Sequence, residues 1–121
     1  MSNYQKLDAW KESMLLVKEI YLTTKKFPKE ELYGLASQAK RAAVSIPANI
    51  AEGMGRQYKK DTIQFLHVAR GSVYELETLL NIAVMVEIVA QVEFEKFVPL
   101  FEKVLKLLNG LIKYLETSEL K

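Results

Sequence analysis

Leu35–Gly53 reads LASQAKRAAVSIPANIAEG, and its side chains fall into two stripes at helical spacing. The apolar stripe is made of small and branched residues, namely Leu35, Ala39, Ala42, Ile46 and Ile50. The polar stripe beside it consists of Gln38, Arg41, Ser45, Asn49, Glu52 and Arg56. Steps of three and four are typical of the faces of an α-helix, and small apolar residues favour close packing. The pattern predicts a helix over about residues 33–53.

Pro47 lies inside this predicted helix. A proline there removes one backbone donor and clashes with the carbonyl four residues back, so we expect a kink over residues 43–47. Gly53 and Gly55 are expected to end the helix, because glycine is the preferred residue just past a helix end.

Three further segments repeat the helical period, and no strand-like alternation persists. The first carries Leu7, Trp10, Met14, Val17, Tyr21 and Thr24 as its predicted core stripe and is stopped at Phe27-Pro28. The third, over about residues 60–89, carries Phe65 or Leu66, Ala69, Val73, Leu76, Leu80 and Ala83. Gly71-Ser72 within it marks a place where another backbone can come close.

The fourth segment has the stripe Phe97, Phe101, Val104, Leu108, Leu111 and Leu115. Pro99 is expected in its first turn, with residues 93–97 as a short separate turn before it. Apolar residues remain outside this stripe, namely Leu100, Leu105, Leu107, Ile112 and Tyr114. They exceed what one small core can absorb, which favours an interface between identical chains.

The sequence therefore predicts an all-α fold, an antiparallel up-down four-helix bundle with a kinked second helix. The connections between the helices are short, so successive helices are expected to be antiparallel neighbours. A length of 121 residues fits one domain, 1–121, with one core.

Composition limits the compartment. The chain has no cysteine and no N-terminal apolar segment of the secretory kind, so the cytoplasm is the expected location. Its longest apolar stretch, residues 79–90, is too short to span a bilayer, so no membrane association is expected.

Catalytic and metal chemistry find little support in the residue types. His67 is the one histidine, and Gln64 stands where a Glu-x-x-His pair would need its glutamate, so a di-iron centre cannot be assembled. The serines lack a histidine base at any motif spacing. We therefore expect no enzyme activity, no cofactor and no metal, with His67 partly exposed at a helix edge.

Two sets of polar residues are candidates for function. The basic set gathers at the second helix and the loop after it: Lys40, Arg41, Arg56, Lys59 and Lys60, with Tyr58 among them. A basic loop that holds an aromatic residue can bind phosphates and stack a base, and the alternative is a solvated charged surface. The acids Glu52 and Glu75 are expected to pair with Arg41, Arg56 or Arg70 in a polar network between the second and third helices.

Charge is distributed unevenly along the chain. Residues 1–60 hold 11 Lys/Arg against 6 Asp/Glu, and residues 61–121 hold 6 against 9, within a net charge of +2. This total falls short of the strongly basic balance that is typical of dedicated nucleic-acid binders. In a ring, several copies of a weakly basic patch could act together.

Much of the chain closely resembles the four-helix bundle family of 23S ribosomal RNA intervening-sequence proteins. The resemblance rests on residues 27–35, Gln38, residues 41–53, Arg56, Phe65-Leu66, residues 69–72 and residues 75–77. It implies a ring-shaped homopentamer without established enzymatic activity, and kinship with the nucleic-acid-binding accessory proteins of diversity-generating retroelements. The positions that it makes candidates for a packing and interface network are Arg41, Ser45, Asn49, Glu52, Arg56, Ser72 and Glu75.

Two functions remain open from the sequence. The first is a non-enzymatic homo-oligomeric scaffold that contacts RNA, DNA or a nucleoprotein through a basic rim of Lys40, Arg56, Lys59 and Lys60. The second is a protein-interaction module in which the charge has no role of its own.

Overall fold

The computed structural model describes residues 3–118, which form four long α-helices and contain no strand. Their bounds are α1 Asp8–Thr24, α2 Leu35–Met54, α3 Lys59–Met85 and α4 Gln91–Thr117. Two short 3₁₀ turns, Tyr4–Lys6 and Lys29–Glu31, precede α1 and α2. The all-α class and the four helices are therefore confirmed.

The helices enclose one continuous apolar core to which all four contribute. α2 packs beside α1 and α3, α4 packs beside α3 and α1, and within residues 3–118 the Cα atoms of the diagonal pairs, α1 with α3 and α2 with α4, stay more than 8 Å apart. The largest fully buried side chains are Leu16, Ile20, Ile46, Ile50, Leu66, Leu76, Leu80, Phe101 and Leu108. In the described part of the chain, no helix is both long and apolar enough to cross a bilayer.

α1 turns a different face to the core from the one that the sequence predicted. Met14 and Tyr21 are 42% and 43% exposed, and the buried face carries Leu16 and Ile20 together with small residues. Ser13 can be buried there because its hydroxyl donates to the Trp10 carbonyl oxygen at 2.8 Å. The hydroxyl groups of Thr23 and Thr24 are likewise bonded. The residues of the predicted stripe therefore lie along the edge of the face that α1 buries.

α2 matches its predicted apolar stripe, with Ala39, Ala42, Ile46 and Ile50 buried. Pro47 lies inside the helix, which continues through it to Met54, and the kink stays a prediction. The close approach between helices occurs at Gly53, where a Cβ atom would lie 2.7 Å from the Phe65 Cβ atom. A Cβ atom on Gly71 would meet nothing within 4 Å, so the close approach predicted at Gly71 is wrong within this chain.

α3 ends four residues earlier than predicted. Glu87 adopts a positive φ of 66°, its N–H donates to the Val84 carbonyl, and the Ile88 N–H donates to the Ala83 carbonyl at 2.8 Å. These two bonds form a Schellman motif, which normally places glycine at the left-handed position. Because a glutamate occupies that position, the sequence carries no stop signal there.

α4 is one continuous helix, so the prediction of Pro99 in its first turn after a separate turn is wrong. Pro99 is exposed, and the carbonyl that it leaves without a helical partner can be hydrated. Ile112, which lies outside the predicted stripe, is buried in the core. Leu100, Leu105 and Leu107 are partly buried and pack against the core. Tyr114 remains exposed.

Candidate nucleic-acid interface

One basic cluster lies at the connection between α2 and α3 and comprises Arg56, Tyr58, Lys59 and Lys60; we call it the turn cluster. The Arg56 guanidinium lies 4.6 Å from the centroid of the Phe65 ring and donates to Glu52 Oε2 at 3.0 Å. Both ends of this ion pair are exposed, so it is a weak one that a phosphate can replace. Lys60 and Tyr58 are exposed to solvent.

Lys59 has a structural contact as well as a charge. Its Nζ donates to the Ser118 carbonyl oxygen at 2.7 Å, just past the end of α4. A cation near the last carbonyls of a helix is favourable because those groups carry partial negative charge. Lys59 therefore joins the end of α4 to the start of α3, and this hydrogen bond uses part of the capacity of its ammonium group to bind other groups.

Lys40 does not join the turn cluster within one chain. It lies in the second turn of α2, sixteen residues before Arg56, which at 1.5 Å per residue is about 24 Å along the helix. The basic rim predicted from sequence is therefore divided between the two ends of α2.

A second basic cluster, the groove cluster, surrounds Lys40 where α1 ends and α2 begins. It contains Tyr21, Lys25, Lys29 and Lys40, which line a pocket of about 270 Å³. Apolar groups complete the lining, namely Phe27, Pro28, Leu32 and Ala36. The Lys40 ammonium lies 5.5 Å from the centroid of the Tyr21 ring.

A more open pocket of about 470 Å³ adjoins the first and shares Tyr21 and Lys40 with it. Arg41, Ser37 and Val44 add to its lining. Sequence reasoning missed Tyr21, Lys25 and Lys29 because it assigned Tyr21 to the core. The signal that could have found them is the aromatic residue four positions before a lysine, next to a proline-marked turn.

Hydroxyl and amide side chains join α2 to α3. The Ser72 hydroxyl donates to Ser45 Oγ at 2.8 Å, and Asn49 Nδ2 donates to the Ser45 carbonyl and Oγ at 2.7 and 2.9 Å. Arg41 and Glu75 line a common pocket of about 390 Å³ with Ser45, but among residues 3–118 they form no salt bridge.

Glu52 pairs with Arg56 one helical turn later, so this pair does not join α2 to α3 as expected. Arg70 contacts neither acid. Its guanidinium donates to Asn109 Oδ1 at 2.9 Å and lies 2.8 Å from His67 Nδ1. Because a guanidinium can only donate, His67 Nδ1 accepts that bond. Arg70 thus links α3 to α4.

His67 is partly exposed, as the sequence predicted. Within residues 3–118, no three His, Cys, Asp or Glu side chains stand close enough together to hold a metal ion. Every buried side-chain nitrogen and oxygen atom in that range has a hydrogen-bond partner. Some of these bonds stay within one helix, as for Ser13 and Thr24, and others join two helices, as for Thr62 and Ser72.

Comparison with known proteins agrees with the resemblance seen in the sequence. A solved structure from Bacteroides thetaiotaomicron VPI-5482, described as a protein with unknown function from the S23 ribosomal protein family, is similar with a TM-score of 0.80 and 25% sequence identity. The similarity covers 87% of this chain and 95% of that chain. No curated protein matches the sequence. The family model described as 23S rRNA-intervening sequence protein matches residues 5–110, and the chain belongs to that family.

Proposed function

We propose that the protein is a non-enzymatic, self-assembling scaffold that contacts RNA through the basic groups at the two ends of α2. The observation that carries the proposal is that each end of α2 combines cations that reach solvent with an exposed tyrosine. Arg56 and Lys60 are exposed and flank the exposed Tyr58 in the chain at one end, and the exposed Lys25 and the partly exposed Lys40 line a pocket with Tyr21 at the other. Cations attract the phosphates, and an aromatic ring offers a stacking surface for a base.

Self-assembly brings the two ends together. In a ring of identical up-down antiparallel bundles, the groove cluster of one chain and the turn cluster of the next could form one rim, and a pentamer is the copy number that the resemblance implies. Exposed apolar residues support assembly, above all Val68 and Tyr74 on the outer face of α3 beside Gly71. Repetition of a modest patch raises affinity without any new contact.

The non-enzymatic part of the proposal rests on how the hydroxyl groups are used. The Ser72 hydroxyl donates to Ser45 Oγ, and Asn49 Nδ2 donates to the same oxygen atom, so neither hydroxyl is hydrogen-bonded to a base that could activate it. The single domain and the cytoplasmic location belong to the same proposal, and a chain without cysteine suits a reducing compartment.

Salt-dependent binding tests the RNA role. Changing Arg56, Lys59 and Lys60 together to Glu is expected to abolish retention on heparin and on immobilised RNA. For the wild type, the logarithm of the affinity falls with the logarithm of the salt concentration, and neutralised phosphates set the slope. Losing three contacts reduces that slope by about 3.

A matched control separates charge from location. Lys96, Lys106 and Lys113 are exposed on α4, and changing them together to Glu alters the net charge by the same amount. This control is expected to keep most of the binding. A second variant, Arg56→Glu with Lys60→Glu, spares the Lys59 contact with Ser118 and guards against a folding defect. Unchanged retention of both turn-cluster variants would contradict the proposal.

A protein-interaction module is the second candidate, and one residue favours it. Tyr33 is 93% exposed next to the partly exposed Leu32, and an aromatic residue so placed is a typical anchor for a partner protein. Affinity capture from lysate with and without nuclease distinguishes the two functions. Partners that nuclease removes support the RNA role, and partners that remain after nuclease and are lost on Tyr33→Ala support the protein role.

A further inference from the structure

We infer that the pocket between the end of α1 and the start of α2 binds one unpaired nucleotide, with its base against Tyr21 and its phosphate among Lys25, Lys29 and Lys40. The inference rests on the proposed function and deepens it, because it names the class of nucleic acid and the site. Four features of the pocket carry it: its lining, its charge, its size and the pocket beside it.

The lining suits a flat ring. Phe27, Leu32 and Ala36 contribute apolar lining, and Tyr21, which is 43% exposed, contributes an aromatic ring. Every base has a π-face that stacks on an aromatic side chain, and the contact does not depend on base identity. The pocket is therefore expected to accept any base.

The charge suits a phosphate. Lys25, Lys29 and Lys40 line the pocket, no carboxylate does, and none of the three lysines forms a salt bridge with any residue between 3 and 118. Glu31, two residues after Lys29, is engaged elsewhere, because its Oε1 accepts a hydrogen bond from the Leu35 N–H at 3.1 Å at the start of α2. Three ammonium groups without a carboxylate partner favour an anionic occupant.

The size of the pocket suits a small occupant such as a single nucleotide. A volume of about 270 Å³ lies just under the range of roughly 300–1,000 Å³ that is usual for drug-sized ligands. A base inside a duplex is stacked and paired, and it would have to leave the helix to enter. The site should therefore distinguish single strands from duplexes.

The second pocket gives the strand a path. It shares Tyr21 and Lys40 with the first and adds Arg41 and the Ser37 hydroxyl, so a neighbouring phosphate can lie between Lys40 and Arg41. Lys40 stands between the two pockets, with its ammonium 5.5 Å from the Tyr21 ring centroid. In this arrangement it can contact both the stacked nucleotide and the next phosphate.

Fluorescence anisotropy with a labelled single-stranded oligonucleotide and with its duplex tests the inference. Tyr21→Leu removes the ring and keeps an apolar side chain, and it is expected to weaken single-strand binding roughly tenfold while leaving duplex binding unchanged. Tyr21→Phe keeps the ring and should bind as the wild type does. Tyr114→Leu removes an exposed tyrosine from α4 and is the matched control, expected to have no effect.

The outcomes separate the site from the proposed function. One outcome is that the wild type binds RNA, and that Tyr21→Leu weakens the binding of single strands and of duplexes equally or weakens the binding of neither. In that case the pocket inference is overturned and the RNA role stands. If no RNA binds at low salt, the proposed function fails, and the pocket is then tested with adenosine monophosphate by NMR. Shifts of the Tyr21 ring signals that saturate would support the site. Their absence, or tighter binding of an acidic phenylalanine-containing peptide, would overturn it.

Discussion

Gly53 lies where any side chain would meet the neighbouring helix. A Cβ atom at this position would lie 2.7 Å from the Phe65 Cβ atom and 3.1 Å from the Thr62 carbonyl oxygen. At Gly34 the atom in the way would be Glu31 Oε1, the end of a flexible side chain that can move aside. The Thr62 hydroxyl also donates to the Gly53 carbonyl oxygen at 2.7 Å. Even an alanine side chain would therefore push α3 away from α2 at this point.

Gly53→Ala is expected to lower the free energy of unfolding by about 1–2 kcal/mol, because overpacking outweighs the gain in helix propensity. Urea unfolding followed by circular dichroism measures the change. Gly110→Ala is the control, since a Cβ atom there meets nothing within 4 Å, and it should raise the free energy of unfolding by about 1 kcal/mol. Equal effects of the two substitutions would contradict the close approach.

Single residues also mark where sequence reasoning succeeded and failed at the candidate site. Ser45, Asn49 and Ser72 were candidates for a packing and interface network, and within the chain hydrogen bonds join Ser45 to the other two, since helical spacing places Ser45 and Asn49 on one face of α2. The prediction placed Tyr21 in the core because its spacing suits either a core position or a position at the edge of the core. Spacing alone cannot distinguish these positions when the buried face of the helix contains hydroxyl groups.

Among the helices, α2 was predictable because its apolar and polar residues fall into separate stripes. α1 was predictable only as a helix: Leu15, Leu22, Met14 and Tyr21 spread apolar character around it, and the buried Ser13 breaks the pattern. The end of α3 was missed for a different reason. The motif that ends it is formed by backbone bonds around a glutamate, which gives no signal in the sequence.

Glu87→Gly is expected to stabilise the protein, since glutamate at φ 66° carries a steric cost that glycine avoids. The expected gain in the free energy of unfolding is about 1 kcal/mol, measured by thermal or urea unfolding. Glu95→Gly, at an exposed position inside α4, is the control and should destabilise by about as much. A loss of stability from Glu87→Gly would show that the left-handed turn does not persist in solution.

For the molecule as a whole, the fold class could be predicted, and the shape of the functional surface could not. The number of helices and the core face of α2 follow from periodicity, which is local. The basic residues are divided between the two ends of α2 because that helix is long. Periodicity does not report that Lys40 and Arg56 lie about 24 Å apart along its direction.

Assembly is tested by mass in solution. Multi-angle light scattering is expected to give a mass several times 13.9 kDa, and a stable folded monomer at high concentration would contradict self-assembly. Gly71→Trp fills open space on the outer face of α3 and should dissociate the assembly without unfolding the chain. Gly110→Trp fills similar open space on α4 and is the control, expected to leave the mass unchanged.

The basic residues of the first half of the chain gather at one connection more than on one side of the bundle. Residues 1–60 hold 11 Lys/Arg against 6 Asp/Glu, and three of the eleven, Arg56, Lys59 and Lys60, lie together at the α2–α3 connection. Within α1 and α2 themselves, 4 Lys/Arg are balanced by 4 Asp/Glu. A local positive field of this kind acts before any contact is made, and it turns the α2–α3 connection toward an approaching polyanion.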